Sequence, residues 1–488
     1  MKIQDLFSAL NNKPYVIPLL LLALAFAFKL PGLPPWGVAA ENDQLLVFPP
    51  WHANYPEVSV RASGGDPLLQ QLPWHHWAQD EFSRGRFPLW ASGPFGGAPL
   101  FAYYQTAVLY PLNLLWMLVP IGIGVGIIQA LKIWLIGLGM WFFLRAMGLR
   151  RSAAFISSVG LMFFSNFIVW LPWAHTNVFL LTPWLAWSVY AWCVEWKKGA
   201  LVAFAVLVLF TVLGGHPENM SFLLITIALW ALCLIAGSAP KQWLRQLAGL
   251  GIAGALGIIM GAIQLLPFAE AYSLSAIATE HGRGNAWQLH MDIGTTIGWI
   301  LPRWFGQFSD GVLGPNSFTE TNSYVSLPAL LGLVFVIVAA LRRQVNFRLA
   351  IPWFLIGLFA WVLIYDDTIG PQIRRVPPLD RSIGLRWIFI VGFAILALGA
   401  FGWDWFARWV EEARNRKSEV RNRVVSVVGI VLLTLGIFVL VEHLLGVLPQ
   451  PVMESPDGIW FVPNASYRWY WAIWVIAVAL SVAGVVLL

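Results

Sequence analysis

Apolar runs of about 15–25 residues recur along the whole chain, joined by short basic stretches that alternate with either a short connection free of Lys and Arg or a longer polar, aromatic loop. About 20 apolar residues cross the hydrocarbon core of a bilayer. On that measure the pattern predicts helices near 14–31, 121–145, 152–171, 175–195, 199–214, 218–237, 246–267, 324–341, 349–366, 384–407, 424–446 and 467–488, about twelve spans. The expected fold class is an all-α polytopic membrane protein with two long outer loops carrying short interfacial helices. The chain divides into a first transmembrane helix (1–31), outer loop 1 (32–120), a transmembrane core (121–267), outer loop 2 (268–323) and C-terminal transmembrane helices (324–488). A shorter, arginine-rich outer loop lies at 367–383.

Composition excludes a soluble enzyme. Of 488 residues, 59% are hydrophobic and only 11% charged, against roughly 25% charged in soluble domains, and mean hydropathy is +0.70. The net charge of +6 matters less than its placement. With the N-terminus inside, Arg145, Arg150 and Arg151 fall on the cytoplasmic side, as do Lys197 and Lys198, Lys241 and Arg245. Arg342, Arg343 and Arg348 and the basic run from Arg408 to Arg423 follow them there, as the positive-inside rule expects. This alternation requires that 99–119, interrupted by Pro111 and Asn113, be interfacial or re-entrant rather than a span. Lys2 and Lys13 ahead of an apolar run also fit a secretory signal with a weak cleavage site at Val38-Ala39-Ala40, but a retained first helix stopped by Pro31, Pro34 and Pro35 is the better reading. Cys193 and Cys233 both sit in apolar segments, so neither a disulfide framework nor a cysteine metal site is expected.

Candidate chemistry collects on the outer face. Residues 61–111 are polar, aromatic and rich in Gly and Pro, and irregular backbone of that kind cannot face lipid. Asp66, after Gly64-Gly65 and before Pro67, is a candidate base; Asp43, with Glu41, lies nearer the first helix and is its rival. Each also reads as a solvated or helix-capping loop residue. His75-His76 with Asp80 or Glu81 could hold a metal, but adjacent helical side chains point about 100° apart, so surface-facing polar residues are the better reading. Arg374, Arg375, Arg381 and Arg386 are misplaced by the charge rule, and guanidinium forks suit phosphate oxygens. Their alternative is headgroup snorkelling or pairing with Asp366, Asp367 and Asp380. Trp51, Trp74, Trp77, Trp90, Trp287 and Trp304 lie in outer loops, where flat rings suit sugar faces and bilayer surfaces equally. His216 and Glu218 follow Gly214-Gly215 at a helical hairpin; Glu270, Glu320 and Tyr324 mark other outer helix ends, as cavity lining or as plain interfacial anchors.

The run Gly65-Asp66…Pro73…Gly85-Arg86-Phe87-Pro88-Leu89-Trp90…Gly96-Gly97-Ala98-Pro99-Leu100…Gln105…Tyr110-Pro111 resembles the first outer loop of the bacterial YfhO-like membrane proteins. In order, Gly215-His216, Gln264-Leu265-Leu266-Pro267 with Glu270, Pro302…Gly306, Glu320…Tyr324-Val325 and Arg381…Arg386 extend that resemblance over most of 60–400. The family is assigned to the glycosyltransferase C superfamily. The resemblance implies a multi-span enzyme of the bacterial cytoplasmic membrane, both termini cytoplasmic, that takes a sugar from a polyprenyl-phosphate carrier on the outer face. Asp66 matches the family aspartate, while the superfamily's acidic pair after the first helix would suggest Glu41 and Asp43. The outer arginines would then hold the carrier phosphate. His75, Glu81, Trp90, Tyr104 and Gln105 would line the substrate site from the first loop, with His216, Glu218, Glu270, Arg303, Glu320 and Tyr324 completing it. No cofactor is required by this reading, although a divalent cation is compatible with it. Membrane lipids, a lipid-linked sugar and an unidentified acceptor are the expected partners; nucleic acid is not. The chain lacks the long C-terminal extension of larger members, which leaves the acceptor open.

Two other classes compete. A transporter or flippase would need polar groups at the bilayer midplane and broken helices, and the spans read as nearly free of charge. A non-catalytic assembly subunit would keep the fold and tolerate loss of Asp66. The topology is tested by cysteines introduced at Ser83 and Ser418, which should label from opposite sides of the membrane; labelling from one side rejects it.

Overall fold

The computed structural model describes residues 13–414, apart from 36, 41–44, 47–48, 55–64, 94–95, 276–277, 279–289, 292, 301–305, 308–310 and 313–317. Glu41, Asp43, Trp287, Arg303, Trp304 and the expected helices 424–446 and 467–488 lie outside the described residues, as does the side chain of Arg381. The described chain is helical, with one small antiparallel ribbon pairing Gly306–Gln307 with Gly311–Val312. Among the described residues, 5 helices are long and apolar enough to cross a membrane, with shorter apolar helices beside them.

Helix α1 (Val16–Lys29) ends in a 3-10 turn at Leu30–Gly32, where Pro31 stops it. Its Leu21 and Ala25 are fully buried. The first loop contains one substantial helix, α2 (Leu72–Ser83), entered through a π-turn at Pro67–Gln71. Pro67 suits that entry, because the first helical N–H has no intrahelical partner to lose. Gln79 ties α2 down by donating to the carbonyls of Trp116 (2.7 Å) and Val119 (3.1 Å). The stretch 99–119 holds two 3-10 turns, Tyr104–Thr106 and Asn113–Met117, with no long helix. Asn113 donates to the carbonyls of Thr106 (3.4 Å) and Ala107 (3.2 Å), taking the place of helical hydrogen bonds.

The bundle follows as α3 (Ile121–Ala146), α4 (Arg151–Met162), the short α5 (Ser165–Val169) and α6 (His175–Phe179), and α7 (Thr182–Cys193). Next come α8 (Gly199–Leu213), α9 (Pro217–Ala236), α10 (Pro240–Met260) and α11 (Ala262–Ser273). Then α12 (Leu327–Leu341), α13 (Phe347–Tyr365) and α14 (Ile388–Arg414) complete it. Trp230, Trp353, Phe143 and Phe393 meet at its centre. α12 and α14 cross at Gly332, where a Cβ would come within 2.6 Å of the Gly399 carbonyl; small residues are what allow such backbone contact in membranes.

Two expected helices, 152–171 and 175–195, prove to be broken. α4 and α7 run about 18 Å each at ~1.5 Å per residue, too short for a ~30 Å core. Between them the chain makes tight turns and the two short helices. At the first break the Ser165 N–H donates to the Tyr324 carbonyl (3.2 Å) instead of continuing α4. Pro172 biases Leu171 away from helical geometry, and Pro183 has no N–H for the carbonyl of Phe179. The expected helix 246–267 is likewise two helices, α10 and α11, meeting at Gly261.

The described short basic connections share one end of the bundle. There the Arg150 N–H donates to Asp404 (2.8 Å), Arg150 pairs with Glu411 (2.6 Å) and Arg245 lies 4.9 Å over Trp196. The first loop docks on the opposite end. Gly215, at φ +88°, leaves room for it: a Cβ there would meet the Ala107 Cβ at 2.7 Å and the Tyr104 carbonyl at 3.0 Å.

Candidate functional site

At the first-loop end, three segments distant in sequence converge on one guanidinium. α9 begins after Gly215, with His216 as its cap: the His216 Nδ1 accepts from the Asn219 N–H (3.2 Å). That places Glu218 in the first turn, pointing into the protein. The short helix Phe318–Thr321 supplies Glu320, and the 3-10 turn Gly384–Trp387 at the head of α14 supplies Arg386. Arg386 Nη1 lies 2.7 Å from Glu218 Oε2, and its Nη2 lies 2.7 Å from Glu320 Oε1. Its Nε also donates to both oxygens of Glu320, at 3.1 and 3.2 Å. The other Glu218 oxygen accepts from the Ile383 N–H. Arg386 is only 12% exposed in its side chain, and its guanidinium lies 5.3 Å over the Trp170 ring. Trp170 stacks on His175 (4.1 Å between centroids), which in turn meets His216 (3.7 Å). Two carboxylates, a guanidinium and two imidazoles therefore form one buried polar group.

A second polar centre lies between the first loop and the bundle. Pro67, Gln71, Leu72 and His75 form one wall of a cleft; Val125, Ile128, Gln129 and Lys132 of α3 form the other. Its volume is about 40 Å³. His75 stacks on Trp116 (4.9 Å, 18° between planes). Burial, and then the nearby Lys132 ammonium, push the His75 imidazole down from 6.5 to about 3, so the ring is neutral at physiological pH. Lys132 is 5% exposed and donates to the Leu171 and Trp173 carbonyls (both 3.4 Å) and to Thr176 Oγ1 (3.2 Å). Asp66, at the start of the π-turn, is exposed and accepts from Gln70 Nε2 (3.2 Å). It precedes the cleft-lining Pro67 in the chain.

The remaining candidates scatter. Glu81 accepts from the Nε (2.7 Å) and Nη2 (2.6 Å) of Arg86 on the surface of loop 1; that pairing lowers its pKa. Trp90 is exposed. Tyr104 is buried, its hydroxyl donating to the Val212 carbonyl. Gln105 accepts from Gln71 (3.2 Å). Glu270 is exposed, and Tyr324 is buried behind the short helix that carries Glu320. The arginines do not share one surface. Arg374 is buried and donates to the Leu363 carbonyl, with burial lowering its pKa, whereas Arg375 is exposed and hydrogen-bonds Gln372 (3.4 Å). Asp366 is engaged by the backbone N–H groups of Gly370 (2.8 Å), Ile369 and Thr368 (3.1 Å), which lower its pKa. Among the described residues no three His, Cys, Asp or Glu side chains converge for a metal. Sequence reasoning missed Lys132 and His175. Lys132 had a legible signal, a cation in the middle of a 26-residue apolar helix; His175, between Pro172 and Pro183, had almost none.

No family model and no curated protein matches the chain. Among solved structures it is similar to the apo crystal structure of an oligosaccharyltransferase from Archaeoglobus fulgidus, at a TM-score of 0.43 and 13% identity. The match covers 86% of this chain, which spans 54% of that one. A likeness this distant says nothing of activity.

Replacing Arg386 with Met should leave two buried carboxylates without their cation and cost about 3–5 kcal/mol. The triple variant Glu218→Gln, Glu320→Gln, Arg386→Met should recover most of that loss. Thermal unfolding in detergent reads both, and equal losses in the two variants would reject the pairing as the cause. For His75, the folded pKa lies below the unfolded one. The unfolded chain therefore binds more protons between pH 6.5 and about 3, and stability falls as pH drops through that window. His75→Phe should flatten this slope between pH 6.5 and 4 in the same assay.

Proposed function

We propose that the chain is a glycosyltransferase of the cytoplasmic membrane that moves a sugar from a polyprenyl-phosphate carrier to an acceptor on the outer face. The observation that carries this reading is the cleft between the first-loop helix and α3, with an exposed carboxylate, Asp66, one residue before its lining Pro67. Asp66 is reachable by an acceptor hydroxyl, and a carboxylate in that position takes the proton as the hydroxyl attacks the anomeric carbon. The carrier phosphate leaves, and positive charge near it stabilises the developing negative charge. Of the four arginines read from the sequence, Arg375 and Arg381 are assigned the phosphate contact. Arg374 and Arg386 act behind them, Arg386 by holding Glu218 and Glu320 in place. Exposed aromatic surface on loop 1, with Trp90 foremost, faces the sugar.

A second reading has one specific observation in its favour. Transporters carry charged groups and broken helices inside the membrane, and Lys132 and the 163–181 breaks supply both. A flippase moves a lipid-linked sugar between leaflets of a protein-containing vesicle without changing it, whereas a transferase consumes the carrier-linked sugar.

Asp66→Asn should lower turnover by about 10²–10⁴-fold in purified protein given a radiolabelled polyprenyl-phosphate sugar, with the fold and carrier binding retained. Asp43→Asn should do less. The opposite order moves the base to Asp43; no transfer from any carrier-linked sugar leaves an assembly subunit or a flippase as the reading.

A further inference from the structure

Lys132 is a buried amine whose described partners are all neutral. Its acceptors are two carbonyls and a hydroxyl, at 3.2–3.4 Å, and no carboxylate among the described residues forms an ion pair with it. Neutral acceptors at those distances offset only part of the several kcal/mol that removing an ammonium from water costs. The cleft it borders brings other donors to the same place. Trp116 lines it, is 6% exposed, and its indole N–H has no acceptor among the described residues. The neutral His75 adds an imidazole, whereas the Asn113 and Gln129 amides that also border the cleft already donate to the Thr106, Ala107 and Ala39 carbonyls. A water occupies about 10–15 Å³ on this measure of volume. At about 40 Å³ the space therefore suits three waters or one tetrahedral oxyanion.

We infer that the cleft at Lys132 is an oxyanion site that takes the phosphate group of a phosphorylated lipid. A phosphate oxygen directed at the ammonium replaces the missing counter-charge, and the Trp116 N–H gains an acceptor. The apolar residues on the α3 wall, Val125 and Ile128, suit the first carbons of an attached chain. None of the residues 366–386 lines it, so it is a second phosphate position beside the one assigned to Arg375 and Arg381. The choice of a lipid phosphate rests on the transferase reading; the oxyanion site itself rests on the buried Lys132 amine with only neutral partners and on the Trp116 N–H without an acceptor.

The test is thermal stability and equilibrium binding of the full-length protein in detergent, titrated with a short polyprenyl phosphate, with the matching polyprenol and with inorganic phosphate. Wild type should be stabilised by the polyprenyl phosphate and not by the polyprenol. Lys132→Met should bind the phosphate at least tenfold more weakly, the loss expected for one charge-assisted contact, while Lys132→Arg should retain most of the affinity. Inorganic phosphate binding as tightly as the lipid would keep the oxyanion site and remove the lipid from it. Equal stabilisation by polyprenol and polyprenyl phosphate would overturn the inference, as would unchanged affinity in a folded Lys132→Met protein. It would also fall if binding appeared only after Glu41→Gln and Asp43→Asn, because the chain's own carboxylates would then be the resident anions. Where Lys132→Met does not fold, the two lipid arms on an Arg375→Ala, Arg381→Ala protein decide the matter, because retained preference for the polyprenyl phosphate there cannot come from those arginines and its loss overturns the inference. Binding without sugar transfer defeats the transferase reading and leaves the site; transfer at full carrier affinity in Lys132→Met does the reverse.

Discussion

A single guanidinium shared by two carboxylates organises the end of the bundle on which the site depends. Arg386 comes from the head of α14, Glu218 from the head of α9 and Glu320 from the segment before α12. Three loops that apolar packing alone would leave loosely related are thus held in one geometry. Each member is largely withdrawn from water, so none can lose its partner cheaply. The cluster also fixes backbone, since a Glu218 oxygen accepts from the Ile383 N–H and the ring of Trp170 faces the guanidinium. For this reason Arg386 is better understood as a support for the site than as a hand on the substrate.

The second constraint is the backbone. Residues 163–181 run as short helices and turns at a level where continuous helix would be expected, and lipid offers no partners for freed N–H and C=O groups. The protein supplies them. Lys132 and Thr176 donate to the Leu171 and Trp173 carbonyls, Tyr110 donates to the Asn177 carbonyl (2.9 Å) and Asn177 donates to the Gly214 carbonyl (3.1 Å). Polar side chains in the bundle therefore have a structural use before any chemistry is considered. What distinguishes Lys132 is that this use needs only donors, and a hydroxyl or amide would meet it without burying an amine.

Much of the bundle could be read from hydropathy, because apolar length and the sides taken by Arg and Lys are one-dimensional signals. Helices α3, α8, α9, α12, α13 and α14 fall close to the expected spans. The breaks in 152–171 and 175–195 were not seen, although Pro172 and Pro183 marked one of them; an apolar run looks the same whether or not a distant carbonyl, here that of Tyr324, captures its N–H. The candidate site was legible only in parts. His216, Glu218, Glu320 and Arg386 were each singled out, yet nothing in their spacing says that they meet. The arginine segment looked like one positive patch, but burial divides it, with Arg374 turned inward and Arg375 outward. Lys132 was legible as a lone Lys within an apolar helix of 26 residues, but an average over that helix passes over it.

The two polar centres are linked through one short piece of chain. Residues 170–176 place the Trp170 ring under Arg386, give the Leu171 and Trp173 carbonyls to Lys132, and stack His175 against His216. The same turn thus bears on the Glu218–Arg386–Glu320 cluster through one set of contacts and on the buried Lys132 through another. Rigid helices would have carried these groups on separate elements with independent tolerances. A turn fixed at both ends ties their positions together, so the break in the membrane helices, costly in backbone hydrogen bonds, is what sets the cleft and the cluster side by side.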